Sequence, residues 1–180
     1  MLGPTLQTQR LVLRPPEARD LDAWAELLGD EESARFIGGV MDRPQAWRVL
    51  ALMTGSWPLR GFGQFSVIEK ASGQCVGRVG AWQPEAWPGR EIGWALLRRA
   101  WGQGYATEAA AVCMDWVFDD LGWPEVIHCI HPDNEPSKAV AARLGSAFLR
   151  AERLPLPQYD FDCEIWGQTR EAWRGRPRRV

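Results

Sequence analysis

The residues with the clearest chemical use form a short glycine turn, Arg99-Ala100-Trp101-Gly102-Gln103-Gly104. It lies between a strand-like run, Glu91 to Leu97, and a long apolar-striped helix. Two glycines so placed let the backbone come close to a ligand and take up positive φ. The helix that follows presents unpaired N–H groups and a partial positive charge of roughly half a unit at its start. Such a turn is suited to holding phosphate oxygens. A Walker A loop needs Gly-Lys followed by Ser or Thr, and no such run occurs in this chain. A dinucleotide fingerprint needs a third Gly or Ala at the position where Thr107 stands. On Gly102-Gln103-Gly104 alone, a strand-to-helix turn that binds nothing is the equal alternative.

The elements that position this turn follow from periodicity. Arg10 to Arg14 alternates as a strand and stops at Pro15-Pro16. Leu21, Trp24, Ala25 and Leu28 share one face of a helix over 18–28, and Gly29 suits its end. A glycine-containing loop, Phe36 to Arg43, leads to a second helix from about Pro44 to Met53. Three strands come next, Gln64 to Glu69, Cys75 to Trp82 and Glu91 to Leu97. Ser72-Gly73 turns the first hairpin, and a loop with two prolines, Gln83 to Gly89, joins the second pair. The glycine turn feeds a helix that runs to about Leu121, with Ala109, Val112, Cys113, Trp116 and Val117 on one face. Val126 to Ile130 reads as a buried strand, Ser137 to Leu144 as a short helix, and Phe161 to Trp166 as an alternating strand. This order predicts an α/β fold in which a mixed, mostly antiparallel sheet is flanked by about four helices.

Composition narrows the field further. The 180 residues suit a single domain, 1–180, with no internal repeat, and a flexible basic tail is expected from about Arg174. No apolar run approaches the roughly 20 residues of a membrane span, and Met1 to Arg14 lacks the pattern of a signal peptide. Four cysteines without a C-x-x-C pair and only two histidines give no structural zinc site. They fit reduced thiols in a cytoplasmic protein, and no metal is expected. A net charge of −2 gives no general reason to expect nucleic acid. Eleven tryptophans mostly serve a core, with Trp82 and Trp87 as candidates for a pocket.

The wider motif is more specific than the glycines. Arg99-x-x-Gly102-x-Gly104 matches the R/Q-x-x-G-x-G/A signature of GNAT acyltransferases. Glu91-Ile92-Gly93-Trp94 before it and Tyr105-Ala106-Thr107-Glu108-Ala109 after it resemble the RimJ/RimL-like branch. So do Thr8-Gln9-Arg10-Leu11-Val12-Leu13-Arg14, the stretch His131 to Ser137, and Val140-Ala141-Ala142-Arg143-Leu144-Gly145. The resemblance covers nearly the whole chain. It departs where Ser146 follows Gly145 and where no tyrosine falls between Ser137 and Phe148, the segment that carries the general acid in some relatives.

The resemblance implies an N-acetyltransferase that binds acetyl-CoA and a primary amine together, the amine of a small molecule or of a protein N-terminus attacking the thioester directly. It assigns backbone N–H groups of Gly102, Gln103, Gly104, Tyr105, Ala106 and Thr107 to the pyrophosphate. Leu96 and Leu97 would pair with pantetheine, Asn134 and Ser137 would contact the same arm, and Arg99 and Lys138 could meet phosphates. Ser137 is the first choice for the general acid, with Tyr159 second, although serine there also caps a helix well. Glu91, Glu85 and His131 compete as the base, and a water relay is the fourth option. Phe36, Ile37, Trp82, Trp87 and Tyr159 would line the acceptor pocket. A homodimer is in keeping with the resemblance. The rival from another class is an acyl-CoA-binding module without catalysis on the same fold.

Overall fold

The computed structural model describes residues 2–155 and 162–176. Eight strands form one sheet: β1 (Leu6–Gln7), β2 (Leu11–Arg14), β3 (Gln64–Glu69), β4 (Cys75–Trp82), β5 (Glu91–Leu96), β6 (Glu125–Ile130), β7 (Ala147–Arg153) and β8 (Asp162–Thr169). Their order across the sheet is β1-β2-β3-β4-β5-β6-β8-β7, antiparallel throughout except where β5 meets β6. The helices are α1 (Leu21–Gly29), α2 (Glu31–Ala34), α3 (Arg43–Arg60), α4 (Tyr105–Asp119), α5 (Glu135–Arg143) and α6 (Arg170–Gly175). Six helices are described where about four were expected. The four longest match the periodic segments, while α2 and α6, of four and six residues, are too short to show a period.

Helix α4 buries Ala109, Ala110, Cys113, Met114 and Val117 against Phe65, Val79 and Ile92 on one face of the sheet. On the other face, Trp24 of α1 packs with Leu50 and Met53 of α3 and donates its indole N–H to Ser66 Oγ at 3.1 Å. Strand β3 is therefore covered on both faces, which is why polar Gln64 and Ser66 are as buried as Phe65 and Val67.

Helix α3 runs seven residues beyond the expected Met53, through Thr54-Gly55-Ser56 and past Pro58, and stops where Gly61 takes φ 77°. Weak helix formers and an internal proline argue for an earlier end. Tertiary docking of Trp57 overrides them. Trp57 is 1% exposed, donates to Gln64 O at 3.1 Å, and has Phe65 and Trp116 rings at 4.9 and 5.8 Å. Trp57→Ala is expected to lower the unfolding free energy by about 3–5 kcal/mol, read from the denaturant midpoint.

Two further segments differ from the sequence reading. Strand β7 shows no clear alternation, since it is a largely exposed edge held by β8 alone. Residues Arg170–Gly175, unassigned by the sequence reading up to the tail expected from about Arg174, form α6, and 177–180 lie outside the described residues. Buried Trp173 anchors it, donating to Asp115 Oδ1 at 2.7 Å, and Arg174 pairs with Asp119. Trp173 spends the segment's one large apolar side chain on α4, a contact no local pattern announces. Among the described residues, no helix is long and apolar enough to cross a membrane.

Candidate active site

Strands β5 and β6 run parallel but register only at Glu91 and Ile127, and beyond that point they part. Backbone alternation decides what faces the gap. Leu97 N–H donates to Val76 O of β4, so residues 93, 95 and 97 turn toward β4, and 92, 94 and 96 toward the gap. Side chains occupy the first part of it. His128 Nδ1 lies 2.7 Å from Ile92 O, and Cys129 N–H donates to Glu91 Oε1 at 3.2 Å. A carbonyl only accepts, so Nδ1 of His128 carries the proton and Nε2 accepts from Ser146 Oγ at 2.9 Å. Ser146 can donate because its oxygen in turn accepts from Gln168 Nε2. Burial lowers the His128 pKa to about 4, so this wedge is neutral at pH 7. Further along, Trp94 reaches across and donates from Nε1 to Ser137 Oγ on α5 at 3.2 Å.

Glu91 stands at the fork. Its carboxylate accepts from Trp87 Nε1 at 2.7 Å as well as from Cys129 N–H. Trp87 is aimed there by a tight turn in which Ala86, a non-glycine residue, takes φ 61°. Burial raises the Glu91 pKa to about 7, and it outweighs the hydrogen bonds and the nearby Arg78 cation, which act in the opposite direction. A carboxyl poised near neutrality and facing a cleft has the properties of a general base. That cleft has a volume of about 190 Å³, and Glu91, Gln64, Arg78, Trp82, Trp94 and Ser137 are among its walls.

At the far end of β5 the glycine turn follows a single 3₁₀ turn, Arg98–Ala100. Gly102 and Gly104 take φ 73° and 78°, values that favour glycine, and Gly104 is the N-cap of α4 with no side-chain cap. A Cβ at Gly102 would meet nothing within 4 Å, so the turn is open on its outer side. Tyr105 pins the start of α4 by donating to Glu69 Oε1 at 2.6 Å beneath the Arg10 guanidinium. The N–H groups of Tyr105, Ala106 and Thr107 form the first turn of α4. The residues present thus fit an anionic diphosphate at the turn and an extended arm along the open edge of β5.

The family model described as "Acetyltransferase (GNAT) domain" matches residues 10–147. The chain belongs to the GNAT acetyltransferase family. It is similar to the uncharacterized N-acetyltransferase p20 of Bacillus licheniformis, 34% identical over 137 residues that cover 74% of this chain and 76% of that protein. Among solved structures, the acetyltransferase from Agrobacterium tumefaciens str. C58 is 32% identical with a TM-score of 0.79, over 92% of this chain and 94% of that one. The ribosomal-protein-S5-alanine acetyltransferase from Vibrio fischeri shares the fold, with a TM-score of 0.74 at 18% identity over 97% and 100% of the two chains. GNAT acetyltransferases use acetyl-CoA as the donor, and this chain is an acetyl-CoA-dependent transferase of that fold.

In this GNAT acetyltransferase the residues singled out by sequence do not all converge. Phe36, Ile37, Trp82, Trp87, Glu91, His131, Asn134 and Ser137 line one cleft. Glu85 does not: its side chain is 97% exposed and pairs with Arg60 at 3.3 Å, because the loop turns Trp87 inward and the glutamate out. His131 Nδ1 accepts from Asp133 N–H at 3.0 Å, so that nitrogen is engaged within its own turn. Two expected phosphate contacts are committed elsewhere. Arg99 pairs with Glu26 of α1, and Lys138 pairs with Glu164 at 2.9 Å and Glu135 at 3.1 Å. Leu97 N–H is held by β4, and Leu96 O accepts from Trp101 Nε1 at 2.8 Å, which moves the open edge of β5 back to Trp94 and the Leu96 N–H. Tyr159 lies outside the described residues. Sequence reasoning passed over Gln64, Arg78 and Trp94, whose only local signal is a polar or aromatic residue in a strand. No group of three or more potential metal ligands gathers among the described residues.

Proposed function

We propose that the chain transfers the acetyl group of acetyl-CoA directly to a primary amine, of a small molecule or a protein N-terminus, with Glu91 as general base. The observation that carries this is the Glu91 carboxyl, buried at the fork of β5 and β6, raised to about pH 7 and facing the cleft. When bound, acetyl-CoA supplies an activated acyl carbon. The backbone N–H groups of the Gly102–Thr107 turn hold its pyrophosphate, and the edge of β5 at Trp94 and Leu96 holds its arm. The amine nitrogen forms a bond to the acyl carbon as the carbon–sulfur bond breaks. The proton leaving nitrogen passes to Glu91, and the thiolate takes a proton from the Ser137 O–H, which is replaced from water as Glu91 releases its own; the Ser137 oxygen accepts from Trp94. Asn134 supports Ser137 by accepting its backbone N–H at 3.2 Å.

The test is free-thiol release from acetyl-CoA over a panel of amines, with the acetylated product identified by mass. Thiol release that depends on the amine supports transfer. Tight binding of acetyl-CoA with no amine-dependent release across small amines and N-terminal peptides would reject it.

A further inference from the structure

Residues 83–90 join β4 to β5, and the loop is tied down by its own turn, by β6 and by β7. Trp87 N–H donates to Pro84 O at 3.2 Å, which closes a turn in which Ala86 takes φ 61°. That conformation is unfavourable for a residue with a Cβ, so the rest of the loop must hold it in place. Ile127 N–H of β6 donates to Arg90 O at 2.9 Å, and Arg150 Nη2 of β7 donates to Pro88 O at 3.5 Å. Gly89 lets the loop lie close on β6, since a Cβ there would meet Ile127 Cδ1 at 3.0 Å. Trp87 is half-buried and packs against Ile127, Leu154, Cys163 and Ile165, while Glu85 and Ala86 face water.

This docking aims the indole N–H at one oxygen of Glu91. Trp87 Nε1 donates to Oε2 at 2.7 Å, a length typical of a charge-assisted bond. Oε1 accepts the longer bond from Cys129 N–H at 3.2 Å. Oε1 also lies 3.3 Å from where a Cβ on Gly93 would stand, on the side where β5 carries no side chain. An indole nitrogen donates and never accepts, so Oε2 has to stay an acceptor. A proton arriving at Glu91 therefore settles on Oε1, the oxygen with the weaker bond.

Other charged or titratable groups reach the carboxyl from three strands. They are Arg78 of β4, Cys129 of β6 and Cys163 of β8. On β7, Arg150 and Glu152 pair with each other at 2.7 Å. Burial raises the Glu91 pKa, and the Cys129 N–H, the Trp87 N–H, the Arg78 cation and the Cys129 thiol oppose it. Burial also keeps the thiols of Cys129 and Cys163 protonated.

We infer that Trp87 is a positioning residue for the transfer: its indole N–H fixes the Glu91 carboxylate, directs the incoming proton to Oε1 and sets the strength of the base. This rests on the reading of Glu91 as general base. As the amine nitrogen bonds to the acyl carbon, its N–H bond breaks, the proton goes to Oε1 and the bonding pair stays on nitrogen. Without the indole N–H the charged form of Glu91 loses a donor, and the carboxyl keeps its proton to higher pH. The base is then occupied at neutral pH and free again at high pH. A tryptophan that only filled space would act equally at every pH.

The experiment is a carboxyl-carbon NMR titration of the full chain with isotope-labelled glutamate and no ligand, the Glu91 signal being assigned by its loss in Glu91→Gln. The wild-type midpoint should lie at about 7. Trp87→Phe keeps a ring and removes the N–H, and it should raise the midpoint by about 1 to 2 pH units. If that variant does not fold, the wild type decides: one indole N–H signal should shift with the Glu91 midpoint and stand still in Glu91→Gln. Amine-dependent thiol release is followed alongside, with the fastest amine of the panel above. In Trp87→Phe it should fall about tenfold or more at pH 7 and recover as pH passes the new midpoint. An unmoved midpoint, an indole signal that ignores Glu91, or a rate lowered equally at every pH overturns the role of Trp87. If the titration behaves as expected and no amine releases thiol, the acetyl-transfer reading fails and the catalytic role of Trp87 with it, while its bond to Glu91 stands.

Discussion

Glu91→Gln lowers kcat by roughly 100- to 1,000-fold and removes the acid limb of the rate–pH profile. The wild-type limb should have an apparent pKa of about 7, since the carboxylate is the active form and is lost as pH falls through that value. The amide matches the carboxylate in shape, can still accept from Trp87 or Cys129, and has no basic lone pair for the amine proton. Stability measurements separate this from misfolding. The folded-state pKa is raised above the ordinary 4.5, so between those values the folded chain holds a proton that the unfolded chain has released. Glu91 therefore stabilises fully below pH 4.5, and that contribution, about 3 kcal/mol, is lost as pH rises through 7. His128 acts with the opposite sign: its lowered pKa makes the fold lose stability as pH falls from 6.5 through about 4. The two partly cancel in the wild type. The difference in unfolding free energy between the wild type and Glu91→Gln isolates the Glu91 part, and it should move in favour of the variant from pH 4.5 to above 7. An acid limb that survives in the variant would assign the base to another group.

Gly104→Glu abolishes acetyl-CoA binding. In the wild-type chain, acetyl-CoA at about 100 times Kd should add roughly 2.7 kcal/mol, a rise in Tm of about 5–10 °C for a domain this size. The variant should show no rise at the same concentration, with Kd raised at least about 100-fold. Two effects act at this position. A side chain at φ 78° costs about 1–2 kcal/mol of stability, and a carboxylate at the N-terminus of α4 takes the place of an anionic ligand on the same N–H groups. Gly104→Asn separates them, because asparagine tolerates the left-handed region and brings no charge. It should keep most of the ligand-induced rise in Tm. Loss of the rise in both variants would point to backbone geometry rather than charge, and an undiminished rise in Gly104→Glu would remove the glycine turn from the binding site.

The predicted elements that hold are those whose information is local. The strands Gln64 to Glu69 and Cys75 to Trp82, the apolar stripe of α4, and the paired glycines before it each follow from the preferences of a few consecutive residues. Those preferences place the glycine turn at a helix N-terminus whatever the rest of the chain does. Readings that failed or shifted concern how a residue is used across the sheet. Arg99 and Lys138 look alike in sequence as free cations, yet each has an acidic partner from another element, Glu26 on α1 and Glu164 on β8. Glu85 and Glu91 are six positions apart and equally plausible as a base; one faces water and the other is buried at the fork.

What the sequence determined by itself was the mixed sheet with its four long helices and a turn built to approach an anion, because these rest on periods and dihedral preferences that short segments carry; the family came from the resemblance of its motifs. The tertiary structure alone decided which carboxyl is raised to about pH 7 and where β5 offers an open edge. Burial and cross-strand register create those properties, and both depend on residues tens of positions apart that meet only when the sheet has formed.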